Sequence, residues 1–169
     1  MSTITIRPAR HDELDSIWAL VQRAVDGMHR QGNPQWGEDY PTRSFYAGDL
    51  ERGELFAAEA GGILAGVACI NTAQAPEYAP MPWTTEDHAV VIHRMAVDPV
   101  FQGQGVGQAL FAFAEAQARS QGVRAMRIDT YSLNHPMQAL IRKMGFTPVG
   151  HIHLHGRPLV YPCFEKALL

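Results

Sequence analysis

The sequence predicts a mixed α/β sheet with helices on its faces, and three observations carry that reading. Strand-like and helix-like periodicities run in the order strand, two helices, hairpin, long strand, helix, strand, helix, hairpin. Of the 169 residues, 46% are hydrophobic and 18% charged, a balance that can bury one sizeable core. A glycine-dense segment follows the most strand-like stretch and opens a helix. No repeat, low-complexity tract or linker interrupts the chain, so a single domain is expected over 1–169.

Thr3 to Arg7 alternates Thr and Ile, as a half-buried strand does, and Pro8 ends it. Asp12 to Ala24 places Leu14, Ile17, Trp18 and Val21, followed by Val25, on one face of a helix; Asp12 and Asp15 suit its positive end. Gly27 to Pro41 is punctuated by Gly32, Asn33, Pro34 and Gly37 and reads as a loop. Its Trp36 and Tyr40 either pin the loop to the core or line a pocket. Thr42 to Arg52 reads as a short helix with Thr42 as its cap. Glu54 to Ala60 and Ile63 to Asn71 form a hairpin around Gly61-Gly62, which supply the positive φ of a tight turn.

Thr72 to Asp87 is a second proline-rich loop, carrying Tyr78 and Trp83. Ala89 to Val97 is the clearest strand, stopped by Asp98-Pro99. A helix over Gly105 to Gln121 ends at Gly122, a strand covers Arg124 to Tyr131, and a helix over Asn134 to Met144 ends at Gly145. Phe146 to His155 and Leu159 to Lys166 read as the closing pair of strands.

A formal charge of -3 leaves no broad cationic field, so neither nucleic acid nor an anionic membrane is expected as partner. Cys69 and Cys163 lack metal-ligand spacing and read as buried small hydrophobes in a reducing compartment. Met1 to Arg10 has no apolar core of signal-peptide length and no apolar run reaches a membrane span, which predicts a cytoplasmic protein.

Gln102-Gly103-Gln104-Gly105-Val106-Gly107, then Gln108, joins the long strand to a helix. Glycines there let the backbone turn tightly and let a ligand come close. The amides and dipole of the helix start favour an anion, so the segment reads as a phosphate cradle. No Gly-Lys-Ser/Thr follows, which excludes a P-loop, and Gln108 breaks a dinucleotide fingerprint.

Gln102-x-x-Gly105-x-Gly107, preceded by Met95-Ala96-Val97-Asp98-Pro99, resembles the pyrophosphate-binding motif of GNAT-superfamily N-acetyltransferases. Asn134, followed by Ala139-Leu140 and Met144-Gly145-Phe146, is similar to a second block of that family. The resemblance implies a mostly antiparallel sheet with a splayed central strand. It implies acetyl-CoA as co-substrate, with its pantetheine arm on the backbone of Met95 and Val97. Its pyrophosphate would lie on the amides across Gln102 to Gln108, and Asn134 would meet the arm. Asn134 is equally suited to cap its own helix. A homodimer is the family-level expectation.

The implied reaction moves the acetyl group onto a primary amine of a small molecule or peptide by direct attack in a ternary complex. The Met95 amide would hold the oxyanion. His93 is the favoured base: it sits two residues before Met95, which predicts a shared strand face, and its position is similar to that of a catalytic histidine in arylalkylamine acetyltransferases. A structural histidine is the competing reading. Many family members carry a tyrosine acid where this chain has Ile141; Tyr131 or a water would have to substitute. That departure keeps open a CoA-binding regulatory module without activity.

Trp36, Tyr40, Tyr78 and Trp83 are expected to rim the acceptor cleft and favour a hydrophobic or cationic amine. Glu86, Asp87 and His88 read as a solvated loop, and Arg94 and Arg127 as structural or solvent-facing. His151, His153 and His155 alternate and are expected on one strand face, but without further ligands nearby no metal is expected.

Overall fold

The computed structural model describes residues 3–169; Met1 and Ser2, the first positions of the expected domain, lie outside the described residues. The elements are β1 (Ile4–Pro8), α1 (Leu14–Arg30), α2 (Arg43–Glu51), β2 (Leu55–Ala60), β3 (Ile63–Asn71), β4 (Val90–Val97), α3 (Val106–Ser120), β5 (Ala125–Asp129), α4 (His135–Lys143), β6 (Thr147–Ile152) and β7 (Tyr161–Ala167). The strands form one sheet in the order β1-β2-β3-β4-β5-β7-β6. Every neighbouring pair is antiparallel except β4 and β5. The mixed sheet with helices on both faces is therefore as expected.

Two apolar clusters sandwich the sheet. One face packs Ile17, Leu20 and Val21 of α1 and Tyr46 and Leu50 of α2 against Leu55, Val67, Cys69 and Ala96. The other packs Leu110, Phe111 and Ala114 of α3 and Ile141 of α4 against Ile70, Ile92, Met126 and Phe164. A third cluster, including Tyr78, Tyr131, Tyr161 and Cys163, lies under the loop between β3 and β4. Both cysteines are buried and free, as expected.

Three local readings need correction. The first helix does not stop at Ala24: it runs on to Arg30, with Gly27 inside it and Gly32 at φ 76 after its end. Gly27 is small because α1 crosses the turn after β4 there; a Cβ on it would lie 3.3 Å from Pro99 Cγ. The start of α1 is organised by Glu13 rather than Asp12 or Asp15, since Glu13 accepts the Arg10 amide at 2.7 Å and both Nη atoms of Arg7. Thr42 does stand at the α2 N-cap, but its hydroxyl bonds Ser44 instead of a backbone amide.

The centre of the sheet is its least regular part. β4 and β5 pair in parallel only at Val90↔Met126 and Val91↔Arg127, then part. Past Asp129 the chain follows β7 instead, with Thr130 and Ser132 amides donating to the carbonyls of Pro162 and Val160. On its other side β4 jumps register, from Cys69↔His93 to Val67↔Ala96, so Ala68 faces two residues and Met95 has no register partner. That is a β-bulge, and Arg94 within it has φ 49. A left-handed backbone costs a residue with a Cβ about 1–2 kcal/mol.

α3 lies so close to β3 that a Cβ on Gly66 would fall 2.9 Å from Val106 Cγ1 and 3.0 Å from the Ala96 carbonyl. Gly66→Ala should therefore cost roughly 1–3 kcal/mol, read as a lower urea midpoint with an unchanged slope. The Arg7 ion pair holds the Glu13 carboxyl down to about 2 from 4.5. Its stabilisation is present above the unfolded value and is lost as pH falls through the folded one. Glu13→Gln should lower stability at neutral pH and flatten the acid limb of a stability–pH curve between those values.

Candidate functional site

Two clefts meet where β4 and β5 part. The first has a volume of about 680 Å³ and is walled by α1 from Ala24 to Gln31, Met95 to Val97, the glycine segment, and the start of α4. Gly103 and Gly105 adopt φ 76 and 85, which explains glycine at both. The α3 ladder begins with the Ala109 amide on the Gly105 carbonyl, leaving the amides of Val106, Gly107 and Gln108 without helical acceptors. A Cβ on Gly107 would come 2.7 Å from Leu140 Cδ2. Arg30 and Lys143 line this groove and no carboxylate does among the described residues, so a chain of net charge -3 presents a positive surface here. The groove fits an extended, apolar-bodied ligand with phosphates at the α3 start.

Met95, Val97, Gln102, Gly103, Gly105, Val106, Gly107, Gln108 and Asn134 all line the groove, and Gln104 does not. The Asn134 Oδ1 caps α4 by accepting the Met137 amide at 3.2 Å, and its Nδ2 donates to Gln35 Oε1 at 2.9 Å. Sequence reading missed Gln35, Arg30 and Lys143. Nothing in a run of Gln, Asn and Pro marks Gln35 as a tie, and single cations at helix ends look like ordinary solvated surface.

The second cleft, about 590 Å³, lies on the α1–α2 face. Trp36, Tyr40, Phe45, Tyr78 and Tyr161 give it an aromatic wall, with His93, Arg94, Glu54 and Asp129 as charged or titratable groups. Tyr40 stacks on His155 at 3.7 Å, and Arg157 pairs with Asp39 at 2.7 Å, so the first loop is pinned to the β6–β7 turn. The second loop is held by Glu165, which accepts the amides and hydroxyls of Thr84 and Thr85. Arg127, buried, adds bonds to Gln74 Oε1 and the Glu86 carbonyl and lies 4.2 Å over the Trp83 ring.

Several expected site residues fall elsewhere. Trp83 packs beneath Arg127 and against Tyr78, its Nε1 donating to the Tyr78 carbonyl, and does not line the cleft. Tyr131 is fully buried outside both clefts, and its Oη accepts the Leu159 amide. Ile141 is core under α4. β6 ends at Ile152 and His155 sits in a turn at φ 55, so the three histidines do not share a strand face. Arg94, read as structural or solvent-facing, is structural: it pairs with buried Asp49, and it also lines the cleft. Glu86, Asp87 and His88 are exposed, as read.

The bulge also corrects the relation of His93 to Met95. An uninterrupted strand would put both on one face; the extra residue sends them to opposite faces. His93 sits opposite Cys69 and lines only the aromatic cleft, whereas Met95 belongs to the α3-side core and lines both. Asn71 Oδ1 takes the Ala73 amide and faces His93 Nε2 at 2.8 Å, while Asn71 Nδ2 faces Glu54. His93 Nε2 therefore carries the proton and Nδ1 is left as acceptor. Burial, then the Arg94 charge, lowers the imidazole to about 4.

Asp129, which sequence reading passed over, ends β5 in the same cleft. Tyr78 Oη donates to its Oδ2 at 2.5 Å, yet burial raises the carboxyl to about 6. Its carboxyl is thus poised to titrate just below neutrality. Among the described residues only Met28, Met95, Asn134 and Met137 line both clefts, and none is ionisable.

The groove and the aromatic cleft lie on a fold that known proteins share. Bacillus subtilis YesJ, named an uncharacterized N-acetyltransferase, is 25% identical over 85% of this chain and 81% of its own. A Streptococcus agalactiae acetyltransferase of the GNAT family superposes with a TM-score of 0.83 at 25% identity, over 98% of this chain and 96% of that one. The Salmonella typhimurium protein yncA, solved with its cofactor acetyl-CoA, shares the fold at a TM-score of 0.71 and 19% identity, over 98% and 94% of the two chains. The family model described as "Acetyltransferase (GNAT) family" matches residues 19–146, three-quarters of the sequence, from within α1 to just past α4, and so the chain belongs to the GNAT family of acetyltransferases.

Proposed function

We propose that this acetyltransferase moves the acetyl group of acetyl-CoA onto a primary amine with an apolar or aromatic body, by direct attack where the two clefts meet. The observation that carries the reading is that junction: one groove suited to a phosphate-bearing thioester and one aromatic cleft share Met95. Acetyl-CoA supplies the activated acyl group. The free amides at the α3 start, with Arg30 and Lys143, hold its phosphates, and the backbone of Met95 and Val97, on the side that β5 has left, holds its arm. The Met95 amide faces the carbonyl as oxyanion donor.

The incoming ammonium is drawn to Asp129 and flanked by the aromatic wall. Asp129, poised near 6, suits proton removal at neutral pH better than His93 at about 4. His93 is the second candidate, because its Nδ1 is free to accept a proton. With no ionisable side chain at the junction, the leaving thiolate takes its proton from water or from the attacking amine.

Titration calorimetry should show acetyl-CoA binding to the wild type and a loss of at least about 100-fold for a folded Gly105→Glu, which sets a side chain and a negative charge at the anion site. No binding by folded wild type would sink the reading. In turnover across an amine panel, kcat/KM should rise as pH rises through about 6, with Asp129 deprotonated in the active form. Asp129→Asn should abolish that limb and cost roughly 100-fold or more, within the range for a lost general base, while His93→Gln keeps the limb. The opposite pattern would assign the base to His93.

A further inference from the structure

We propose that Asp49 and Tyr46, both on α2, are positioning residues for acyl transfer: they grip Arg94 at both ends and so hold the left-handed bulge that aims the Met95 amide. The proposal rests on the reading of that amide as the group facing the thioester carbonyl.

Arg94 sits at φ 49, a conformation a long side chain does not choose unaided. Its guanidinium donates to Asp49 through Nε at 2.9 Å and Nη2 at 2.7 Å. Asp49 is fully buried, so its charge needs that partner; Arg52 adds a third bond at 2.8 Å from the cleft rim. At the other end of the residue, the backbone carbonyl of Arg94 accepts from Tyr46 Oη at 3.2 Å. Tyr46 is also fully buried. Tyr40 Oη accepts from Arg94 Nη1 at 3.3 Å.

One helix thus fixes the side chain and the peptide oxygen of the same strained residue. The next amide along the chain, that of Met95, cannot rotate while both are held. Neither Asp49 nor Tyr46 lines either cleft, so neither can touch a substrate. Their effect must pass through Arg94.

Glycine adopts positive φ without help and alanine does not, so Arg94→Gly and Arg94→Ala separate the clamp from the charge. Arg94→Ala should lower kcat by ~30-fold with acetyl-CoA affinity within ~3-fold, and Arg94→Gly should regain ~10-fold of that loss, in proportion to the cost of a left-handed residue with a Cβ. Tyr46→Phe, which removes one hydroxyl and keeps the packing, should lower kcat by ~5-fold without moving KM for acetyl-CoA.

A readout independent of turnover is the 15N–1H signal of the Met95 amide in the free protein. It should move in Arg94→Ala and in Tyr46→Phe and stay near its wild-type position in Arg94→Gly. Equal kcat for the glycine and alanine variants, or a Met95 signal unmoved by Arg94→Ala, would overturn the proposal. Should the acyl-transfer reading itself fail, the wild type shows no turnover and the amide signal still decides the clamp.

Discussion

The molecule depends on a strand that cannot satisfy both of its neighbours. β4 keeps its antiparallel partner β3 on both sides of the bulge but holds β5 for only two residue pairs. In most sheets such a gap would leave unpaired peptide groups exposed to edge-to-edge association. Here the gap is covered from both sides, by α1 and its loop on one face and by the starts of α3 and α4 on the other. The unpaired backbone thereby becomes the inner wall of a reaction site.

The ties across that gap are polar and are distributed among distant segments. Gln35 joins the α1–α2 loop to Asn134 at the start of α4, Arg157 reaches back to Asp39, and Glu165 gathers Thr84 and Thr85. Each is a buried or half-buried group whose partner lies far away in sequence. Buried polar groups must find partners, and once found the geometry is narrow. That stiffness suits a site that works by placing two reactants rather than by supplying covalent chemistry.

What the sequence made legible follows from how local each signal is. Periodicity and glycine placement located every strand and helix, because those patterns are written in neighbouring residues. The glycine segment was legible for the same reason: strand, turn and helix start are contiguous. Gly27 misled because glycine usually breaks a helix, whereas here it makes room for Pro99. The bulge at Arg94 could not be read, since register is decided by the partner strand; with it went the facing of His93 and Met95. Asp129 and Gln35 gave no signal for a related reason. A carboxylate at a strand end looks solvated until the loop above it supplies Tyr78.

The sharing of only four lining residues between the clefts has a consequence for traffic. In the proposed reaction each reactant would have its own doorway, the two converging on a patch of three methionines and one amide. Neither molecule would then have to leave for the other to arrive, and none of the four shared side chains is a strong nucleophile that could store the acyl group between visits. Thioethers are soft and conformationally adaptable, so the methionines are the pliable part of this patch. The ties of Arg157 and Glu165 lie further out, whereas the bond from Asn134 to Gln35 reaches the patch itself, so a fixed amide stands beside three pliable methionines.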